Sequence, residues 1–407
     1  MNKLSLNNYT SIIGNNEVEK IRTLAEEVSR ASVCHVNATS YGGGVAEILH
    51  RLVPLMQDVG LAADWKVMEG TNEFFNVTKT IHNALQGMKL SLTEDMRNIY
   101  LRFSEMNAET LNLDYDYVVM HDPQPLAIMK YYRKHIGKRV WRCHIDVSEP
   151  NQEFIDFLTP FIELYDASIF TMKQFVKKAL RIKNPTIITP SIDPLSNKNK
   201  SLSENTILSI LEKYDVKPDE PIMTQVSRFD PWKDPMGVID VYRMIKKKIP
   251  KVQLLLIANM ACDDPEGWVY YEKTARYAGD DYDIHLLTDM ISVKDLEVNA
   301  FQRASNVILQ KSIREGFGLS VTEALWKGIP VVGSGVGGIP LQIIDGVTGF
   351  LVNSVKEAAE KTLYLLKHSE KAKEMGEEGR KHVLRKFLIT KHLKSYLDLF
   401  IKLSHIN

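Results

Sequence analysis

Residues 312–340 read SIREGFGLSVTEALWKGIPVVGSGVGGIP. Two glycines flank Phe317 in a loop, Glu315-Gly316-Phe317-Gly318. A helical pattern follows over 319–327, Gly328 stops it, and an apolar run over 329–333 predicts a buried strand. Glycine lets a backbone approach a ligand closely, and the unpaired amides at the start of a helix carry partial positive charge. A diphosphate would be held by the amides of Gly316, Phe317, Gly318 and Leu319. Glu323 lies four residues after Leu319, on the helix face above the same opening, where its carboxylate can accept hydrogen bonds from vicinal hydroxyls such as those of a ribose. Glu315 is expected at the loop mouth. Taken singly, Glu315 is also an ordinary helix-start acid and Glu323 an ordinary solvated helical residue.

Outward from this stretch, the second half of the chain alternates strands and helices. The run 221–226 (PIMTQV) predicts a strand that enters Ser227-Arg228-Phe229-Asp230-Pro231-Trp232-Lys233. Arg228, with its planar fork, and Lys233, a point charge five residues on, would clamp a diphosphate from a proline-punctuated loop at a strand end. Strands are expected at 252–258, 283–287 and 307–310, with helices over 238–247 and 293–305. Gly333, Gly335 and Gly338 spell GxGxxG after a strand, the outline of a dinucleotide fingerprint. That reading fails on length, because only 340–344 intervene before the turn Asp345-Gly346 and a strand at 349–352, leaving no room for a crossover helix. Close approach of the backbone to a transferring sugar is the use expected of these glycines. Helices over 356–367, 369–386 and 391–403 end the chain.

The first half has the same rhythm. A helix over 17–30 and a strand over 32–38 lead into Tyr41-Gly42-Gly43-Gly44 and a helix over 45–57, a strand, glycine loop and helix of the kind that places ligands at strand carboxyl ends. A strand over 115–120 ends in His121-Asp122-Pro123-Gln124-Pro125, and one over 139–143 runs into His144-Ile145-Asp146. Arg142, His144 and Asp146 alternate with apolar neighbours, so the three could share a face, and buried polar groups need partners, of which a sugar is one. His82 and Asn83 are expected at the surface. The polar run 195–205 (LSNKNKSLSEN) reads as a linker, dividing domains at 1–195 and 205–387.

Composition narrows the function. The 407 residues suffice for two cored domains, and 51 Lys plus Arg balance 51 Asp plus Glu, which argues against nucleic acid as a partner. Cys34, Cys143 and Cys262 are isolated and read as buried packing residues in a reducing interior, with no CxxC pair. The N-terminus lacks a signal-peptide apolar run, and no segment approaches the roughly 18 apolar residues that span a bilayer, so a cytoplasmic protein without a membrane partner is expected. No DxD-like metal cluster stands at the motif, and Asp263-Asp264 reads as a loop.

Two glutamates with seven residues between them in EGFGLSVTEALWKGIPVV resemble the signature of retaining glycosyltransferases of family four. HVNATSYGGGVAEILHRLVPL, EFFNVTKTIHNALQG, HDPQP, WRCHID, QVSRFDPWK, DDPEGW and QKSIREGFGLSVTEALWKG extend the resemblance across nearly the whole chain, to the trehalose glycosyltransferring synthases of archaea and bacteria. The resemblance implies an α/β GT-B fold, two Rossmann-like doubly wound domains with an interdomain cleft, and a last helix, about 388–407 here, that packs back on the first domain. It implies transfer of glucose from a nucleoside diphosphate glucose to free glucose, giving trehalose with retention and in a reversible manner. No cofactor is implied, a divalent metal having at most a stimulatory role, and a homodimer is allowed. By motif, Arg228, Lys233, Glu315, Gly316 to Leu319 and Glu323 would bind donor, with Gly43 and Gly44 beside its sugar. His121, Arg142 and Asp146 would line the acceptor side, and His121, Arg228, Lys233 and Glu315 form the catalytic set. Many family members carry an acid after GGIP, where this chain has Leu341.

Three rivals remain. A retaining glycosidase needs two carboxylates about 5 to 5.5 Å apart on opposite sides of a bond, whereas Glu315 and Glu323 come from one loop and its helix. A retaining trehalose phosphorylase would put phosphate where the nucleotide goes and leave Glu323 without its ribose. A non-catalytic sugar- or nucleotide-binding regulator on the same fold would be expected to lose Arg228, Lys233 or a motif glutamate.

Overall fold

The computed structural model describes residues 4–41, 43–177, 180–260 and 266–406. Gly42, Cys262 and Asp263-Asp264 of the sequence reading fall outside the described residues. The chain divides into two compact units, Met1–Ser191 with Ile389–Asn407, and Ile192–Leu388. Each carries, among the described residues, a six-stranded sheet whose strand pairs are all parallel.

The first unit builds its sheet from β1 (Ser32–Asn37), β2 (Ala62–Val67), β3 (Tyr117–His121), β4 (Lys138–Cys143), β5 (Ala167–Phe170) and β6 (Pro185–Ile187), in the order β2-β1-β3-β4-β5-β6. Strands of a parallel sheet are covered on both faces, hence the unbroken burial of β3 and β5. Cys34 and Cys143 are buried and free. Asn83, expected at the surface, is buried, because the helix Asn72–Leu85 turns that face inward with Ile81, Ala84 and Leu85. The helix Glu94–Thr110 went unread in the sequence; its buried Ile99, Tyr100, Phe103, Asn107 and Ala108 form a narrow stripe on an otherwise polar helix.

The helix Ile389–Ser404 belongs to this first unit. Phe400 stacks at 4.4 Å from the Tyr117 ring, the Tyr117 hydroxyl donates to the Phe400 carbonyl at 3.0 Å, and Lys394 reaches Glu17 at 3.2 Å.

The second unit holds β7 (Ile222–Val226), β8 (Gln253–Ala258), β9 (Ile284–Thr288), β10 (Val307–Gln310), β11 (Val331–Ser334) and β12 (Gly349–Val352), ordered β12-β11-β10-β7-β8-β9. Renumbered from β7, this is the 3-2-1-4-5-6 order of a doubly wound Rossmann sheet, and its switch point lies between β7 and β10, whose carboxyl ends are where such sheets bind ligands. Only the four-residue helix Ile339–Gln342 separates β11 from the turn before β12, consistent with rejecting the dinucleotide fingerprint.

The polar run 195–205 is not a free linker. Asn299 donates to the carbonyls of Asn197 (2.9 Å) and Lys200 (2.8 Å), and the Lys327 ammonium donates to Asn199 Oδ1 at 2.9 Å. Composition signalled solvation, but short polar side chains here satisfy a buried backbone instead. Among the described residues no helix is long and apolar enough to cross a membrane.

Phe400 is fully buried, so Phe400→Ala is expected to cost about 3–5 kcal/mol of stability, read as a lower denaturation midpoint by circular dichroism. A cost below about 1 kcal/mol would show that the helix does not depend on that anchor.

Candidate functional site

At the β7 end, Asp230 caps a 3-10 turn, Pro231–Lys233, its Oδ1 accepting from the amides of Trp232 (2.9 Å) and Lys233 (3.1 Å). Gln225 Nε2 donates to the Lys233 carbonyl at 2.9 Å, so the lysine's backbone is fixed from two sides. Its ammonium then donates to Glu315 Oε2 at 2.7 Å, with only 15% of the lysine side chain exposed. The amide of Ile313 donates to the Trp232 carbonyl at 2.7 Å, joining the β7 and β10 loops by backbone as well. Arg228 is one-third exposed, its guanidinium 3.9 Å from Asp230 Oδ2.

Glu315 is buried rather than standing at the loop mouth. Besides Lys233, its Oε2 accepts from Ser312 Oγ (3.1 Å) and Gln310 Nε2 (3.3 Å). Gly318 has φ of 83° and lies against the Glu315 side chain, and the helix Leu319–Trp326 starts with no side-chain cap on its amides. The amides at this helix start, for which the sequence predicts an anion, are thus left without a side-chain cap.

Gly337 and Gly338 pack directly against the 315–317 loop. A Cβ on Gly337 would stand 1.7 Å from the Glu315 carbonyl oxygen and one on Gly338 would stand 2.7 Å from that of Gly316. The segment after β11 therefore packs its bare backbone on the 315–317 loop. Gln342 completes the support, donating to the Phe317 carbonyl and accepting from the Thr322 hydroxyl.

Glu323 faces inward from the same helix and is 1% exposed. Its Oε2 accepts from Gln302 Nε2 at 3.4 Å, and Lys198 Nζ lies 3.3 Å from Oε1. That Oε1 is buried beside this cation and has no hydrogen bond of proper direction. Lys198 sits in the stretch misread as linker, and Lys311, which pairs with Asp234 beside the β10 loop, carried no signal beyond following a strand.

In the first unit, Gly43 is extended (φ −148°) and has nothing within 4 Å of where a Cβ would sit; Gly44 opens the helix Gly44–Asp58. Gly43 is therefore marked by open space and not by backbone strain. Three of the expected acceptor-side groups are less accessible than anticipated. Strand β4 ends at Cys143, so the alternation does not carry Arg142, His144 and Asp146 onto one face. Arg142 is fully buried and presents no surface to a sugar. Asp146 is buried, and its Oδ1 accepts from the Ser148 amide at 2.9 Å. His121, also buried, has both ring nitrogens committed: Nε2 lies 2.9 Å from His35 Nδ1 and Nδ1 lies 3.0 Å from His144 Nε2. The partly exposed group here is His144, whose amide donates to Asp122 Oδ1 at 2.7 Å. Burial, with the Arg142 charge adding to it, holds His121 and His144 well below the usual histidine range, and burial keeps His35 and His392 at about 3. Asp122, with φ of 64°, is pushed up to about 7 by burial.

Among the described residues no group of three or more His, Cys, Asp or Glu is placed to hold a metal ion.

Residues 35–177 match the family model "Trehalose synthase, N-terminal domain", and 208–382 match "Glycosyl transferases group 1". The trehalose synthase of Thermococcus litoralis is 59% identical over 97% of this chain and 96% of its own. The chain belongs to the trehalose synthase family of GT-B glycosyltransferases. A trehalose phosphorylase of Pleurotus pulmonarius is 27% identical over 93% of this chain and 58% of its own length. Among solved structures, the sucrose-phosphate synthase of Thermosynechococcus elongatus matches the fold with a TM-score of 0.72 at 17% identity, covering 93% of this chain and 100% of that one. A trehalose synthase family member is a glycosyltransferase engaged in trehalose-related transfer, with sugar or nucleotide-sugar substrates.

Two outcomes follow from the site. Gly337→Ala, with φ of 53° and no room for a Cβ, is expected to cost at least about 3 kcal/mol and to displace the 315–317 loop, seen as lost denaturant resistance. The buried histidines make stability fall with pH. Unfolded imidazoles take up protons below about 6.5, while folded His35 and His392 do not until about 3, so stability drops over that window by about 1.4 kcal/mol per pH unit for each. Asp122 opposes this, because its folded carboxyl is protonated already below about 7, but it is one group against several. The urea midpoint is expected to fall between about pH 7 and pH 5, and less steeply in His392→Leu; an unchanged slope in that variant would rule out its contribution.

Proposed function

We propose that the chain transfers glucose from a nucleoside diphosphate glucose to free glucose, forming trehalose with retained configuration, and that the reaction is reversible. The observation that carries this reading is Glu323. Its carboxylate sits on the helix whose uncapped start lies beside the Lys233–Glu315 pair, buried with Lys198 3.3 Å from Oε1, and in this reading Lys198 yields that oxygen to a vicinal diol while the cations meet the diphosphate. A phosphate co-substrate has no diol to offer it.

In this reading Lys233 and Arg228 neutralise the diphosphate as the anomeric bond breaks, and the amides of 316–319 hold its oxygens. Glu315 keeps Lys233 aimed, since it is buried and already takes three donors; this suits a positioning role better than nucleophilic attack. The leaving phosphate oxygen takes the acceptor's proton on the same face of the sugar, and no covalent intermediate is needed. His144, rather than Arg142, is the group of the first unit offered to the acceptor sugar, with Gly43 and Gly44 giving a substrate room at the β1 end.

Incubation with nucleoside diphosphate glucose plus glucose is expected to yield trehalose, while trehalose plus phosphate is expected to yield no glucose 1-phosphate. The reverse result would favour the phosphorylase reading that the Pleurotus relative suggests. Glu323→Ala is expected to raise the KM for the nucleotide sugar by about tenfold or more, the loss of hydrogen bonds to a charged group, and to leave that for glucose within about twofold. Equal losses in both would remove Glu323 from the ribose.

A further inference from the structure

The three linked imidazoles of the first unit have a consequence beyond burial. Each neutral imidazole has one N–H and one lone pair. With both nitrogens of His121 committed, the chain His35–His121–His144 can have only two polarities. In one, every ring carries its proton on Nδ1, His35 donates to His121, His121 donates to His144, and His35 Nε2 is a bare lone pair. In the other, every proton sits on Nε2, and His35 Nε2–H points at whatever lies beyond.

What lies beyond decides between them. His35 Nε2 is buried without a hydrogen-bond partner, and so are all three guanidinium nitrogens of Arg142 and the hydroxyl of Tyr396. The Tyr396 ring packs edge-on against His35 with centroids 5.5 Å apart, and Arg142 acts electrostatically on Tyr396, His121, His144 and His392. Guanidinium only donates and the phenol's proton is itself unplaced, so this pocket of side chains has donors in excess. A further N–H there would be one more orphan, which folded proteins avoid more strictly than an under-used acceptor. None of these donors is within hydrogen-bond reach of His35 Nε2, so the polarity is set by a buried lone pair being tolerated more readily than a buried N–H. His392, on the same helix as Tyr396, has the same tautomer, since its Nδ1 donates to the Thr189 carbonyl at 2.8 Å.

We infer that His35, His121 and His144 form a one-way hydrogen-bond relay with every proton on Nδ1, so that His144 offers an N–H at its partly exposed end and His35 is the positioning residue that sets it. The burial of His35 and the cation of Arg142 hold the relay neutral across physiological pH; Asp122, His392 and Tyr396 are the other titratable groups that face it. The polarity stands by itself, whereas its use in turnover, donation to a sugar hydroxyl oxygen, rests on the proposed function.

Long-range proton–nitrogen correlation spectra of the full chain labelled with nitrogen-15 histidine read the tautomers directly. All three rings protonated on Nδ1 is the expected result, and Nε2 protonation at any of them overturns the inference. His35→Leu is expected to leave His144 a mixture of tautomers and to lower kcat by about 10- to 100-fold, with KM for the nucleotide sugar unchanged. His35→Asn, whose amide can place an N–H where Nδ1 was, is expected to restore both. A drop in kcat with the His144 tautomer unaltered would mean that His35 acts only structurally. Should the leucine variant fail to fold, the spectrum of the parent chain decides alone. The inferred tautomers in a chain that makes no trehalose would sink the proposed function and leave the relay standing.

Discussion

The ion pair between Lys233 and Glu315 is the constraint on which the second unit's site depends. At a switch point two strands part, and their outgoing loops have no ladder to hold them together. A 2.7 Å charge-assisted bond, with most of both side chains out of water, ties the β7 loop to the β10 loop at that place. A buried pair repays its desolvation only when further hydrogen bonds saturate it. Ser312 and Gln310 do that for the glutamate, while Asp230 and Gln225 fix the lysine's backbone. The pair is neutral as a whole, so in the proposed reading the net attraction for the diphosphate comes chiefly from Arg228 and the uncapped helix start, with Lys233 contributing a directed hydrogen-bond donor.

Behind the same pair lies bare backbone. The main chain of Glu315 lies tight against the segment after β11, and that approach excludes a side chain at residues 337 and 338. Gly338, the last glycine of the apparent dinucleotide fingerprint, thus shapes the loop from behind together with its neighbour Gly337. A spacing of glycines says that a backbone comes close to something. It does not say whether the something is a ligand or another stretch of the same chain.

Legibility followed this distinction. Strand and helix positions were readable in most of the chain because buried parallel strands are written as apolar runs and the second unit's helices carry caps and periodic faces. The GT-B architecture was legible from the motif at 312–340 and its companions. The loop carrying Lys233 and the loop carrying Glu315 could be named as strand ends, but not the bond between them, because 82 residues separate the two in sequence. The run 195–205 was misread since an asparagine solvated in a linker and one that, like Asn199, donates to a buried carbonyl look the same in composition. Arg142 was misplaced by assuming that β4 continued through Asp146, whereas it stops at Cys143.

His35 shows the limit most clearly. It lies between Cys34 and Val36 in a strand that reads as plain core, and nothing near it in sequence marks it. Only the register of the sheet sets β3 beside β1 and β4 beside β3, and only then do His35, His121 and His144 come into line. Once they are in line, the chemistry of one end depends on the chemistry of the other, because a neutral imidazole cannot change which nitrogen it offers on one side without changing what it needs on the opposite side. The side chains of the last helix that lie against His35 therefore bear on a hydrogen bond offered at the far end of the row. Packing the chain's final helix onto the first unit does more than cover apolar surface. It places Tyr396 and His392 around a buried cation, and in doing so it sets the electrical surroundings of residues that the sequence presents as unrelated.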